Sequence, residues 1–294
     1  MANVQWFPGH MTKAKRQMEE NLKKVDFVIE IRDARMPEAS KNPMLDQLIQ
    51  NKPRLILLSK KDKADKELTK QWVNALETEN QKVLALDFIH ENFSKQLIKA
   101  SNELCVKLIE KQKRRGMKPR ALRAMVCGIP NVGKSTFINT FAKRKAAQTG
   151  DRPGVTKSLQ WIKVGQTLEL LDTPGVLWPK FESEEVALHL CFTGTIKEEI
   201  LDKVEIAYQL TKFLLENYRK KLCERYKLDE ENVEKILKQD QPENNNIYEI
   251  MLEIGKKRGC IMSGGRIDEE KTSRLILDEF KNGKLGKITI EGVR

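Results

Sequence analysis

The sequence predicts an α/β protein in which a mostly parallel sheet of about six strands precedes a C-terminal helical domain. Through the first 180 residues, short apolar runs of strand length alternate with helical patterns, which is typical of a parallel sheet. One of these strands is followed by a glycine-rich loop and then by a helix. Beyond residue 180 the apolar residues recur at helical spacing. We therefore predict one domain over residues 1–180 and a helical domain over residues 181–294.

The predicted strands share a run of apolar side chains that stops at a polar or turn-forming residue. In chain order they cover 25–31, 55–58, 83–86, 121–127, 158–164 and 167–171. Arg32 is unusual at the end of a strand that is expected to be buried. Helical patterns cover 10–24, 68–76, 94–113 and 134–143. The acidic, asparagine-rich stretch 229–246 is predicted to be a mobile connection within the second domain.

The positive charge of the chain is concentrated in its first part. Residues 181–294 hold 20 Lys and Arg against 23 Asp and Glu, so the whole-chain net charge of +12 leaves +15 in residues 1–180. A basic field of this size favours a polyanionic partner, because each phosphate contact releases counterions. A solvated basic surface without such a partner is the alternative interpretation.

The cysteines and the first residues of the chain indicate the compartment. The five cysteines lie far apart, without the spacing of a disulfide framework or a zinc site, and this favours a reducing compartment. The N-terminal residues lack the apolar stretch that a secretion signal or a membrane span requires. We expect a soluble, cytoplasmic monomer that has no membrane partner.

The segment from Gly128 to Ser135 matches the pattern GxxxxGK[ST] and stands between a predicted strand and a predicted helix. Glycines in such a loop let main-chain N–H groups surround a phosphate at the positive end of the helix. Lys134 is predicted to neutralise β- and γ-phosphate oxygens, and the Ser135 hydroxyl to ligate Mg²⁺. The other predicted nucleotide contacts of this loop are Asn131, Val132, Gly133 and Thr136. A glycine-rich turn without a ligand is the alternative.

A second motif, from Asp172 to Gly175, ends the last apolar run of the first domain. Asp172 is predicted to hold a Mg²⁺-bound water, and the amide of Gly175 to sense a γ-phosphate that disappears on hydrolysis. Between the two motifs, Thr156 lies in a glycine- and proline-containing loop and is predicted to be a further Mg²⁺ ligand. A lone threonine in a turn is otherwise a structural hydrogen-bonding residue.

A third motif follows the second predicted strand. GTPases recognise guanine with Asn-Lys-x-Asp, and residues 59–62 read Ser-Lys-Lys-Asp. Asp62 is predicted to accept hydrogen bonds from N1 and the exocyclic amine of guanine, and the stem of Lys60 to cover the base. Lys61 is the remaining predicted contact of this loop. Ser59 replaces the usual Asn, and we expect its shorter side chain to lose a bracing hydrogen bond worth about 1 kcal/mol. A charged surface turn is the alternative.

The order of these motifs is reversed relative to ordinary small GTPases, because the base motif precedes the phosphate loop. The predicted fold is therefore a circularly permuted P-loop GTPase domain, a rearrangement that an unchanged sheet tolerates. The permutation makes the switch at Asp172–Gly175 run directly into the helical domain. We expect the nucleotide state to reposition that domain.

With the permuted motifs in place, the sequence resembles the ribosome biogenesis GTPases of the YlqF/YawG family of circularly permuted GTPases. The resemblance covers nearly the whole chain. Besides the nucleotide motifs, the segments that carry it are 5–11 (QWFPGHM), 33–37 (DARMP), 177–181 (LWPKF), 193–197 (TGTIK) and 256–260 (KKRGC).

The resemblance implies a Mg²⁺-dependent GTPase that binds GTP and GDP, is stimulated by K⁺, and acts late in assembly of the large (50S) ribosomal subunit, contacting 23S rRNA. It implies that His10 orders the attacking water, because Val176 stands where many GTPases place a Gln. It also implies that Asn131 helps to hold K⁺ beside the phosphates. Charge and resemblance together predict the RNA-binding residues Lys13, Lys15, Arg16, Arg114, Arg115, Lys256, Lys257 and Arg258.

Two alternatives remain open from the sequence. One is relaxed purine choice, because Ser59 weakens the base motif and Leu86-Asp87-Phe88 lacks the Ser-Ala pattern often found at the second base loop. The other is an RNA-binding scaffold in which nucleotide only switches affinity and hydrolysis is incidental. The intact Lys134, Ser135 and Asp172 favour an active enzyme over the scaffold.

Overall fold

The computed structural model of the protein divides into two compact units. It describes residues 16, 18–49, 52–118, 120–142, 160–164, 166–173, 183–196, 202–239 and 243–293. Among these, the second unit comprises Ser183–Ile288, and the first comprises the residues before it and those from Thr289 onward. The sequence prediction placed the end of the chain in the helical domain. The structure differs there because residues 289–291 are hydrogen-bonded to the first unit.

The first unit is built on a six-stranded sheet, as predicted. Its strands are β1 (Phe27–Asp33), β2 (Arg54–Ser59), β3 (Gln81–Ala85), β4 (Leu122–Cys127), β5 (Gln160–Val164) and β6 (Leu168–Asp172). Their order across the sheet is β3-β2-β1-β4-β6-β5. All neighbouring pairs are parallel except β5 and β6, which are antiparallel at one edge. The sheet is therefore mostly parallel, with one antiparallel edge strand.

Residues 16 and 18–22 are helical, and five further α-helices follow them in this unit. They are α1 (Pro43–Ile49), α2 (Lys66–Leu76), α3 (Ser94–Leu104), α4 (Val106–Arg114) and α5 (Lys134–Ala142). The single helix predicted over 94–113 is interrupted at Cys105, which separates α3 from α4. Separate apolar clusters, around Val28 and around Ile56, form the core of this unit.

The parallel pairing brings the ends of four strands to one edge of the sheet. Asp33 ends β1, Ser59 ends β2, Cys127 ends β4 and Asp172 ends β6. Because these strands are neighbours and run in the same direction, the loops that follow them meet at this edge. The permuted order along the chain therefore does not separate the predicted motifs in space.

The second unit is helical. Its described helices are α6 (Glu184–Phe192), α7 (Lys203–Asn217), α8 (Arg219–Tyr226), α9 (Glu230–Leu237), α10 (Glu243–Lys257) and α11 (Glu269–Lys281). The prediction of a mobile connection over 229–246 was wrong, since α9 lies within it and α10 begins at Glu243. Asp229 caps that helix, and Val233 and Ile236 are buried one helical turn apart. In the described part of the chain, no helix is long and apolar enough to cross a membrane.

Candidate nucleotide-binding site

The predicted phosphate loop connects β4 to α5, as its sequence context indicated. Asn131 and Gly133 adopt positive φ angles of 61° and 98°, so the main chain turns sharply before the helix begins. At Gly128 an added Cβ atom would lie 2.7 Å from the main-chain oxygen of Ile31. The loop therefore runs directly against the end of β1, and a glycine is required for this close approach.

Gly128→Ala is expected to destabilise the protein by about 2 kcal/mol, because the oxygen of Ile31 belongs to a central strand and cannot move aside. Urea unfolding measures the change. Gly292→Ala is the matched control, since nothing lies within 4 Å of a Cβ at that position. Equal stability of the two variants would contradict the packing argument.

The first and second motifs meet at the end of the sheet. Nζ of Lys134 lies 2.6 Å from Oδ1 of Asp172, and both side chains are buried. The hydroxyl of Thr173, which is also buried, donates to the main-chain oxygen of Val126 at 2.7 Å and ties the end of β6 to β4. The structure thus brings together the lysine predicted to bind phosphate and the carboxylate predicted at the Mg²⁺ site. Ser135 and Thr136 lie in the first turn of α5, beside this pair.

The third motif is braced directly against the phosphate loop. The Ser59 hydroxyl lies 2.6 Å from the main-chain oxygen of Val132 and 3.0 Å from that of Arg32; its single proton is donated to one of them at a time, and the shorter contact is the one to Val132. The expectation that Ser59 loses the bracing hydrogen bond was therefore wrong. Ser59 is fully buried where β2 meets the phosphate loop, so a short side chain spans the gap. This removes one of the two reasons for expecting relaxed purine choice.

Lys60 makes the second link between the two loops. It adopts a left-handed conformation with φ 56°, and its Nζ donates to the main-chain oxygen of Asn131 at 2.7 Å. The same Nζ lies 2.9 Å from Oδ2 of Asp33. The base loop and the phosphate loop are thus held together by hydrogen bonds from both Ser59 and Lys60.

Asp33 organises the charges behind Lys60. Its carboxylate accepts from Nε and Nη2 of Arg35 at 3.0 and 2.8 Å, and it is completely buried. Burial by itself raises the pKa of Asp33, but the charges of Arg35 and Lys60 outweigh burial and hold that pKa well below its usual range. Asp33 is therefore a carboxylate under all physiological conditions and fixes the position of the Lys60 ammonium.

The other residues of the base loop differ in what they contact. Nζ of Lys61 pairs with Oε1 of Glu91 at 2.6 Å. Asp62 lies in the 3-10 turn Lys61–Lys63 and is half-buried. In the described part of the structure its carboxylate makes no hydrogen bond or ion pair, so its oxygens retain their capacity to accept hydrogen bonds. Asp62, the acidic residue of this loop, is thus available to accept hydrogen bonds from a base.

Comparisons with known proteins identify the family of this chain. A family model described as 50S ribosome-binding GTPase matches residues 123–251. Over 288 residues the chain is 48% identical to ribosome biogenesis GTPase A of Bacillus licheniformis, with 98% of each chain covered. The chain belongs to the ribosome biogenesis GTPase A family.

Solved structures of this family share the fold. The GDP-bound structure of YlqF matches with a TM-score of 0.65 at 26% identity, covering 94% of this chain and 99% of that chain. The GNP-bound structure of YlqF from T. maritima matches with the same TM-score and identity, covering 95% and 98%. The family confirms the predicted circularly permuted α/β GTPase fold with a helical C-terminal part, and it establishes the chain as a GTP-hydrolysing enzyme.

Several residues predicted for this GTPase lie outside the described part of the chain. They are His10, Lys13, Lys15, Thr156 and Gly175. Of the predicted RNA-binding residues that are described, Arg16 pairs with Glu20 on an exposed helical face. Arg114 and Arg115 are exposed at the end of α4.

The third group of predicted RNA-binding residues lies in the second unit. Lys256 and Lys257 are exposed in the last turn of α10. Arg258 is also exposed, but its Nη2 lies 2.7 Å from Oε1 of Glu279, a carboxylate that Arg225 contacts as well. Arg258 therefore has a structural contact in addition to any role at a surface.

Two features beside the candidate site were not predicted from the sequence. Phe88, from the second base loop, packs beside Gly133 and Phe137 in a cluster of aromatic rings. Only the apolar residues at positions 88, 93, 137 and 141 could have indicated this cluster. The pairing of Asp33 with Arg35 and Lys60 was also missed. Its signal was a set of charged residues at the end of an otherwise apolar strand, where only paired charges are tolerated.

Proposed function

We propose that this GTPase binds guanine nucleotide at the edge of the sheet where β1, β2, β4 and β6 end, and that it acts in late assembly of the large (50S) ribosomal subunit. The observation that carries the nucleotide site is the contact of Lys134 with Asp172 beside a base loop that Ser59 and Lys60 fasten to the phosphate loop. The names of the relatives and the charge of +15 in residues 1–180 support the ribosomal role.

The proposed contacts follow the three motifs. Main-chain N–H groups of Asn131, Val132 and Gly133, together with Lys134, bind the phosphates, and Asp62 accepts hydrogen bonds from guanine. Gly175 contacts the γ-phosphate, and Thr136 completes the phosphate contacts at the start of α5.

Mg²⁺ is the metal proposed for this site. Ser135 offers a hydroxyl and Asp172 a carboxylate, and oxygen donors of this kind suit Mg²⁺. Thr156 is the further proposed ligand. When bound, Mg²⁺ neutralises charge on the β- and γ-phosphate oxygens. The chain's own contribution is the position of Asp172, which Thr173 fixes through its hydrogen bond to β4.

The experiment that tests the proposed function is GTP turnover in K⁺ with and without the large-subunit precursor. We expect slow intrinsic hydrolysis that rises when the precursor is added, because the partner orders the catalytic groups. If turnover is the same with and without the subunit, the ribosomal role is contradicted. Equal affinities for GTP and ATP in a parallel titration would contradict the guanine assignment and support relaxed purine choice instead.

We also propose that His10 orders the attacking water in the state bound to the subunit. His10→Ala should then keep GTP affinity and lose the partner-stimulated rate, since the histidine contributes to the hydrolytic step and not to ground-state binding. Single-turnover hydrolysis on the subunit measures this difference. Unchanged stimulated rates in the variant would exclude His10 from that role.

K⁺ is proposed to bind beside the phosphates with the help of Asn131. A positive charge in this position acts as an arginine finger does, and such charges contribute about 10³ to 10⁵ in rate. We expect GTP turnover to be much faster in K⁺ than in Na⁺. Asn131→Gly should remove the difference, because glycine tolerates the φ of 61° and only the side chain is lost. Equal rates of the unaltered protein in the two salts would contradict the proposal.

The proposed RNA-binding surface includes the end of α4, where Lys111, Arg114 and Arg115 are exposed. Replacing all three with Gln should weaken binding to 23S rRNA and reduce the salt slope of log K by about 0.7–0.9 for each lost phosphate contact. Filter binding at several KCl concentrations measures the slope. The matched control replaces three exposed lysines of α2 and α3 with Gln and should leave the slope unchanged. These lysines are Lys66, Lys70 and Lys99.

Binding to the ribosomal subunit also accounts for the expected cytoplasmic location, because a bacterial subunit is assembled there. The expectation that the protein is a monomer belongs to the same proposal. Sedimentation of the purified protein at working concentration tests it, and a stable dimer would contradict it.

A further inference from the structure

The end of the chain lies against the turn that follows β1. We call Thr289, Ile290 and Glu291 the C-terminal clip. The N–H of Ile290 donates to the main-chain oxygen of Arg35 at 2.7 Å. The carboxylate of Glu291 accepts from the N–H of Glu38 at 2.7 Å and from that of Ala39 at 3.0 Å. The clip therefore holds the turn over residues 34–39 through hydrogen bonds to the main chain of Arg35, Glu38 and Ala39.

The clip also holds the start of α2. The Thr289 hydroxyl accepts from the N–H of Asp65 at 3.0 Å and lies 3.5 Å from the main-chain oxygen of Ala34. Nε1 of Trp72, on α2, donates to the main-chain oxygen of Glu291 at 2.9 Å. One hydroxyl thus joins the turn after β1 to the residue that caps α2.

One of these attachments is made where the base loop ends, and the other is made to the turn that contacts the start of the loop. Before the loop, the N–H of Ala34 donates to the oxygen of Ser59 at 2.9 Å, and Arg35 orients the Asp33 carboxylate that pairs with Lys60. After the loop, Asp65 stands three residues beyond Asp62 and begins α2. Thr289 is 2% exposed and Ile290 is 7% exposed, so the hydrogen bonds made by these two residues are shielded from water. The clip therefore fixes the end of the base loop directly, at Asp65, and its start indirectly, through the turn that contacts Ser59.

We propose that Thr289 and Glu291 are positioning residues for guanine recognition. By fixing Asp65 directly, and Ser59 through the turn after β1, they hold Asp62 in the geometry that accepts hydrogen bonds from the base, and they lower the ordering cost on binding. The clip contacts given above are all with the turn after β1 and the start of α2, so we expect guanine recognition to depend on the clip more than phosphate binding does. The proposal rests on the assignment of Asp62 to guanine made under the proposed function.

The test compares two probes on the full chain, GDP and magnesium pyrophosphate, by titration calorimetry. In the double variant Thr289→Val, Glu291→Ala we expect GDP affinity to fall about fivefold, as the loss of a supporting hydrogen bond predicts, with pyrophosphate affinity changed less than about twofold. Thr289→Ser keeps the hydroxyl and should bind GDP like the unaltered protein. Val293→Ala, at an exposed position of the same segment, is the control and should change neither affinity.

A merely structural role predicts a different outcome. If the double variant lowers the melting temperature but leaves the ratio of GDP to pyrophosphate affinity unchanged, the positioning role is overturned. A parallel loss of both affinities overturns it as well. The unaltered protein separates this proposal from the proposed function, since no preference for GDP over ADP would contradict the guanine site itself. If the unaltered protein prefers GDP to ADP but the double variant binds GDP with unchanged affinity, the positioning role of the clip is contradicted and the guanine site is not.

Discussion

Lys134→Ala is expected to lower GTP turnover at least about 100-fold, which is the typical loss when one preorganised charge or donor is removed from a transition state. The ammonium of Lys134 is buried and lies 2.6 Å from the Asp172 carboxylate, so it acts in a low-dielectric environment where charges interact strongly. No exposed lysine can replace it there. Single-turnover hydrolysis of GTP, with protein in excess, measures the loss without interference from product release.

The control for this variant is Lys99→Ala, which removes an equal charge from an exposed position on α3. It should leave turnover unchanged, because an exposed charge is screened by water and salt. A Lys134→Ala variant that hydrolyses GTP within about threefold of the unaltered rate would show that the lysine is a structural partner of Asp172 and not a catalytic group.

Asp33→Asn is expected to cost about 3 kcal/mol of the free energy of unfolding. The substitution keeps the shape of the side chain but leaves Arg35 and Lys60 without the buried carboxylate that both contact, and breaking a buried ion pair on one side typically costs about 3–5 kcal/mol. Chemical unfolding at neutral pH measures it. Asp46→Asn is the matched control, because the Asp46 carboxylate pairs with Arg54 at 2.8 Å but is 44% exposed, and its loss should cost less than about 1 kcal/mol.

The same residue predicts the direction of a pH effect. The folded-state pKa of Asp33 lies below its unfolded value, so its contribution to stability is complete above the unfolded pKa near 4 and is lost as the pH falls further. Each pH unit below about 4 should remove up to about 1.4 kcal/mol through this group. In Asp33→Asn the free energy of unfolding should fall less steeply as the pH drops below about 4. If the fall is as steep as in the unaltered protein, other carboxylates are responsible for it.

The sheet could be predicted from the sequence because each of its strands is a continuous apolar run, and strands buried on both faces have this pattern. The phosphate loop was predictable for a different reason. Its function depends on glycines at fixed spacing, and that spacing can be read directly from the sequence. The ends of Gln81–Ala85 and of the helices were less certain, since they depend on caps and contacts that are distant in the chain.

The hydrogen bond from Ser59 that joins the base loop to the phosphate loop could not be predicted, because it depends on how closely the two loops approach each other. Ser59 reaches Val132 only because β2 and the phosphate loop meet at the same edge of the sheet. The helix Glu230–Leu237 was missed because its polar composition conceals two buried residues at helical spacing. The clip was missed because nothing in the sequence of residues 289–291 identifies Glu38 or Asp65, more than 200 positions earlier, as a partner.

The separation of Glu291 from Glu38 by 253 positions has a consequence for how the protein is made. During translation the strands and the phosphate loop leave the ribosome first, and the helical unit must follow before residues 289–291 emerge. These contacts of the first unit are therefore formed only after the helical unit has been synthesised, and contacts of such long range form slowly. A nascent chain that stops before residue 289 would lack these contacts, so the turn after β1 and the start of α2 would be fixed only after the helical unit has left the ribosome.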